Sequence, residues 1–115
     1  MVPVKYMLLI YSNPESWASL SAEQREGMTT AHETLARELT EQGLLVSAAG
    51  LADPITTRTV QVRDDTTTTT DGPYAEAKEH LAGFFLIDVD SRSRAESLAT
   101  RFAGPDETVE LRPLM

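Results

Sequence analysis

The hydrophobic positions change period along the chain. Tyr6-Met7-Leu8-Leu9-Ile10-Tyr11 is an unbroken apolar run of strand-favouring residues, stopped by Ser12-Asn13-Pro14. That predicts a strand ending in a turn, with both faces wanting burial. From Ser21 to Gln42 the period lengthens: Met28, Ala31, Leu35 and Leu39 share one stripe, opposite Glu26, Glu33 and Arg37. This is the spacing of an amphipathic helix. Ser21 with Gln24 makes a capping box at its start, and Gly43 before apolar Leu44 suits a left-handed stop at its end. Leu44 to Leu51 is small and apolar until Pro54 breaks it, and Arg58 to Arg63 alternates Val60 and Val62 with polar neighbours. Two further strands are predicted there.

Asp64-Asp65 offers a turn, and the β-branched run Thr66 to Thr70 can return as an exposed hairpin arm. Asp71-Gly72-Pro73 is a strong turn signal, and Tyr74 to His80 reads as an irregular segment or a single helical turn. Gly83 leads into Phe84-Phe85-Leu86-Ile87-Asp88-Val89, a second strand apolar on both faces. Ser93 with Glu96 is the expected cap of another helix, whose Ala95, Leu98, Ala99 and Phe102 form one stripe before Gly104-Pro105 stops it. Thr108 to Arg112 closes the pattern as a short strand carrying Val109 and Leu111.

The order is strand, helix, strand, strand, arm, strand, helix, strand. It is close to the split β-α-β arrangement of ferredoxin-like α+β folds, with two helices on one face of an antiparallel sheet. Yet Tyr6 to Tyr11 and Phe84 to Val89 are apolar on both faces, and two such helices cover only one. A second copy packed sheet against sheet about a two-fold axis would cover the other, which predicts a homodimer. A lid made from Asn13 to Leu20, containing Trp17, is the competing cover.

Composition narrows the function. At 115 residues the chain fits one domain, 1–115, and its 41% apolar content is enough for a core. Asp and Glu outnumber Lys and Arg by 18 to 10, for a net charge of −8. That balance argues against nucleic acid and anionic membranes as partners. The absence of cysteine excludes disulfides, thiolate metal sites and a cysteine nucleophile. The N-terminal residues lack a signal-peptide pattern, and Tyr6 to Tyr11 is too short to span a bilayer, so the cytoplasm is the expected location. Two histidines without metal-ligand spacing predict no metal site, and with no Gly-rich phosphate loop no cofactor is expected.

Two residues invite chemistry. Asp71 either accepts backbone N–H groups in its turn or points a carboxylate into a cleft, where it could orient an imidazole or hold a cation. His32 lies on or beside the apolar stripe of the first helix. There it is either an amphipathic filler or a proton-transfer group, whose pKa a carboxylate would raise and burial would lower. Its acidic neighbour is left open between Asp71 and Asp53; Glu41 lies too far along the helix, and His80 reads as a surface residue. Glu76, Lys78 and Glu79 are either solvated charges or the lip of a pocket, with Lys78 able to meet an anionic group.

The stretch from Asp71-Gly72-Pro73-Tyr74 through Glu76-Ala77-Lys78-Glu79 to Gly83-Phe84 is the most distinctive in the chain. It resembles the signature of the YCII-related proteins, in particular the branch named after an Asp-Gly-Pro-Phe motif followed by Glu-x-Lys-Glu and a Gly-aromatic pair. A mid-helix His, Gly50-Leu51 with Pro54 soon after, and Val109-Glu110-Leu111-Arg112-Pro113 extend the likeness over nearly the whole chain. Tyr74 stands where the name-giving residue is Phe. The resemblance implies a dimeric ferredoxin-like α+β barrel and a His–Asp acid–base unit in which His32 is the histidine. It implies a class rather than an activity, since some relatives are linked to small-molecule degradation and others accompany alternative sigma factors. The expected site is a pocket per subunit lined by Tyr6, Leu8, His32, Asp71 and Tyr74, with His32 as acid or base. The alternative is a non-catalytic dimer that binds a metabolite or docks a regulatory partner.

Overall fold

The computed structural model describes residues 4–74, 78–104 and 106–115. The first apolar run forms β1 (Val4–Ser12), and a short helix, α1 (Pro14–Ser19), follows it. The long amphipathic stretch forms α2 (Ala22–Glu41). The Ser21 hydroxyl accepts from Gln24 N at 3.1 Å and Gln24 Oε1 accepts from Ser21 N at 2.8 Å, so the capping box is complete. Gly43 stops the helix with φ of 72°, a conformation without penalty for glycine. Then come β2 (Leu45–Gly50), a 3₁₀ turn (Pro54–Thr56), β3 (Arg58–Arg63), β4 (Thr66–Asp71), β5 (His80–Val89), α3 (Arg92–Phe102) and β6 (Glu107–Pro113). No described helix is long and apolar enough to cross a membrane.

Four strands make one antiparallel sheet in the order β2-β5-β1-β6. This is the ferredoxin-like α+β topology expected from the element order, with β3 and β4 inserted as a separate two-stranded ribbon. Tyr6, Leu8 and Ile10 of β1 and Ile87 and Val89 of β5 face the helices. They bury against Leu35 and Leu39 of α2 and Ala95, Leu98 and Phe102 of α3. Met7, Leu9, Phe84 and Leu86 alternate with these strand residues and are half-buried on the opposite face.

Two local readings change. The cap of α3 is Ser91, whose hydroxyl accepts from Arg94 N at 3.1 Å. Ser93 lies inside the first turn, and Glu96 instead takes Arg92 Nε at 3.0 Å in an i,i+4 pair. The Asn13–Leu20 segment, weighed as a lid over the outer face, carries α1 and borders a cavity on the helix side. Of the segment Tyr74 to His80, Ala75, Glu76 and Ala77 lie outside the described residues, as does Pro105 of the expected helix stop.

Candidate functional site

A cavity of about 780 Å³ opens between α2 and the sheet, within the usual size of small-molecule sites. One wall is a face of α2: Arg25, Met28, Thr29, His32 and Ala36, at the spacing that puts side chains on one stripe. The opposite wall is Ala48, Ala49 and Gly50 of β2, whose small side chains leave the space open, with Gly83 and Phe85 of β5 beneath. Trp17 and Ala18 of α1 and Asp53 of the 3₁₀ turn stand at the rim. At Gly83 a Cβ would lie 2.7 Å from the Ala49 carbonyl oxygen, so glycine is required for β2 to approach β5.

His32 is the titratable centre of this wall. Its ring packs edge-on to Phe85 at a centroid distance of 6.2 Å and against Phe102 at 6.1 Å. Nε2 faces the Phe102 carbonyl at 3.2 Å and Glu107 Oε1 at 3.5 Å. The carbonyl is the closer hydrogen-bond acceptor, and the carboxylate supplies the charge. Two acceptors on one nitrogen place the neutral ring's proton on Nε2 and leave Nδ1 as the basic nitrogen. The hydrogen-bonding influence of Glu107 is the main cause of a pKa raised above the ordinary 6.5. Partial burial opposes it, while the charge of Glu107 and the Phe102 carbonyl add to the rise.

Glu107 is itself fixed. Its side chain is 7% exposed, and Oε1 accepts from Gly104 N at 3.1 Å. A Cβ at Gly104 would lie 2.6 Å from that oxygen, so glycine gives the carboxylate its seat. Helix α3 therefore contributes a carbonyl, the following turn an N–H and β6 a carboxylate, all meeting a side chain from α2.

The other anticipated site residues lie elsewhere. Tyr6 and Leu8 are buried in the core. Asp71 ends the β3–β4 ribbon and pairs with Arg58 at 3.2 Å, both side chains largely exposed. Tyr74 is 75% exposed, and Lys78 is exposed. Of the anticipated set only His32 stands on the described wall of the cavity. Asp53 reaches the rim, where its carboxylate accepts from Ile55 N at 3.0 Å, and His80 is also part of the wall. Gly72 makes its turn with φ of 93°, and its N–H donates to the Thr57 carbonyl at 2.8 Å.

Sequence reasoning missed Glu107, although strand parity carries a signal for it. Counting back by two from Leu111 and Val109 places it on the core-facing side, where a carboxylate needs a partner. Arg25 likewise precedes Met28 and His32 on the apolar stripe of α2.

An uncharacterized protein of Rhizobium meliloti (strain 1021) is 30% identical over 112 residues, an alignment covering 95% of this chain and 90% of the relative. The family model described as the YCII-related domain matches residues 4–113, and the chain belongs to that YCII-related family.

Proposed function

We infer that the cavity takes a small organic molecule and that His32, backed by Glu107, exchanges a proton with it. The observation that carries this reading is the double engagement of Nε2 by the Phe102 carbonyl and the Glu107 carboxylate. Held from that side, the imidazole has Nδ1 left to act as base or, when protonated, as acid. A carboxylate behind an imidazole also stabilises the imidazolium formed when the ring takes a proton. In this reading residues 1–115 act as one domain, in a homodimer formed through the outer sheet face of Met7, Leu9, Phe84 and Leu86. Asp71-Gly72-Pro73-Tyr74 supports a finer grouping with the Asp-Gly-Pro-Phe branch.

The competing reading is a non-catalytic module that binds a metabolite or docks a partner, as relatives accompanying sigma factors suggest. The largely apolar wall, with Met28, Ala48, Ala49 and Phe85, favours it in one respect: such a wall supplies affinity without chemistry. Incubating wild type and His32→Ala with a panel of small metabolites in deuterated water, and following products by mass spectrometry, separates the two. Conversion or deuterium uptake by wild type that falls about 10²- to 10⁴-fold in a folded His32→Ala is expected of an acid–base enzyme. A ligand that binds both proteins and returns unchanged from both would favour the module.

A further inference from the structure

We propose that Arg25 is the anion anchor of the cavity, so that its ligand is an apolar molecule carrying a single carboxylate. This rests on the reading of the cavity as a small-molecule site and goes on to name the class of molecule.

Arg25 and His32 share the cavity face of α2, two helical turns apart, about 10 Å along the axis. The guanidinium is held rather than free-swinging. Nε donates to the Trp17 carbonyl at 3.0 Å, one terminal nitrogen donates to the Ala18 carbonyl at 2.8 Å, and its carbon lies 5.9 Å from the Trp17 ring centroid. A guanidinium has five N–H donors in a planar fork, so donors remain after these contacts. Among the described residues no carboxylate pairs with it. The acids of the same cavity are otherwise engaged: Glu107 with Gly104 N–H and His32, Asp53 with Ile55 N–H. Glu33 is exposed to solvent.

Arg25 thus brings an uncompensated, pre-oriented positive charge to an apolar wall, the arrangement that recognises a carboxylate through charge-assisted hydrogen bonds. Charge also limits the ligand. The chain carries −8 overall, and Glu33, Asp53 and Glu107 line the same cavity. A dianionic phosphate would meet more repulsion than one arginine offsets, whereas a monoanion would not. Met28 lies between Arg25 and His32 along α2 and Phe85 packs beside His32, so the carboxylate would sit at Arg25 with the apolar remote end of the molecule toward His32.

The test uses 4-phenylbutyrate and its neutral isostere 4-phenylbutyramide, titrated into wild type, Arg25→Gln, Trp17→Ala and His32→Gln and followed by calorimetry and amide NMR shifts. Wild type is expected to bind the carboxylate at least about tenfold more tightly than the amide. Arg25→Gln should bind the two alike. Trp17→Ala, which removes the ring beside the guanidinium but keeps the charge and the backbone carbonyls it binds, should retain the preference, showing that the preference follows the charge and not the neighbouring aromatic ring. Equal binding of both probes by wild type overturns the assignment but leaves the cavity reading standing. A preference that survives Arg25→Gln and disappears in His32→Gln also overturns it, by placing the anion at the imidazole. If neither probe perturbs cavity residues in wild type, the cavity reading itself fails and the anchor with it.

Discussion

His32 and Glu107 couple the fold to pH through one contact. The raised pKa of His32 means that the folded chain holds the imidazolium proton more tightly than the unfolded chain does. Its contribution to stability is therefore fully present below the ordinary value of 6.5 and is lost as pH rises through the higher folded value. Glu107→Gln keeps an oxygen for the Gly104 N–H but removes the charge, so it should bring the His32 pKa down. The stability gap between wild type and Glu107→Gln should then be larger at about pH 5.5 than at about pH 9, with the mutant the less stable. Paired denaturant titrations at the two pH values measure it, and a gap that stays constant or widens at high pH would contradict the coupling. Taking the difference cancels the titration of the other acidic side chains, which both proteins share. His32 itself was legible from helical spacing. Its partner was not, because the contact joins residues distant in sequence, and the expected strand began at Thr108, one residue too late to include Glu107.

At the scale of elements, legibility followed the strength of local signals. The capping box and glycine stop of α2 mark its ends within a residue or so, because side chain and backbone close those contacts locally. Ser93 and Glu96 have the same spacing, but Ser91 is the cap. Spacing alone does not reveal that Glu96 is taken by Arg92. What no local pattern announced is the close approach of β2 to β5 at Gly83, where both strands line the cavity. Gly83→Ala should destabilise the protein by about 1–3 kcal/mol, the usual cost of overpacking, since the obstructing atom is backbone. Chemical denaturation measures that loss, and an unchanged midpoint would show that β2 yields without cost. The β3–β4 ribbon behaves as a separate element. Val60 and Val62 are 61% and 67% exposed, while the intervening Gln61 is half-buried. An isolated two-stranded hairpin is marginal in water. The amides of Val60 and Thr69 should therefore exchange with solvent orders of magnitude faster than those of Leu8 and Ile87 at the sheet centre. Comparable protection in solution would mean that something covers the ribbon.

The whole molecule carries the same question of cover on a larger surface. Its radius of gyration is 16.3 Å, against about 13 Å for a compact chain of similar length. The chain is thus broader than its core requires. Leu9 and Phe84 are cross-strand partners on β1 and β5, and with Met7 and Leu86 they give the outer sheet face a half-buried apolar centre. Water against such a centre is costly, whereas a second copy across a two-fold axis would meet it with the same patch. A stable interface needs roughly 800 Å² from each partner, more than four side chains provide. The proposed homodimer must therefore also engage the polar neighbours on β6, Glu110 and Arg112, which flank Leu9 and Met7 in register. A centre that is apolar and a rim that is charged predict different responses to mutation and salt. Leu9→Lys, which puts a charge at the centre, should convert a micromolar dimer into a folded monomer in sedimentation velocity. Raising the salt concentration should weaken the dimer only modestly, because rim charges are screened and contribute little. A wild-type protein that sediments as a monomer at that concentration would remove the dimer. The outer face would then be a surface the isolated protein leaves wet.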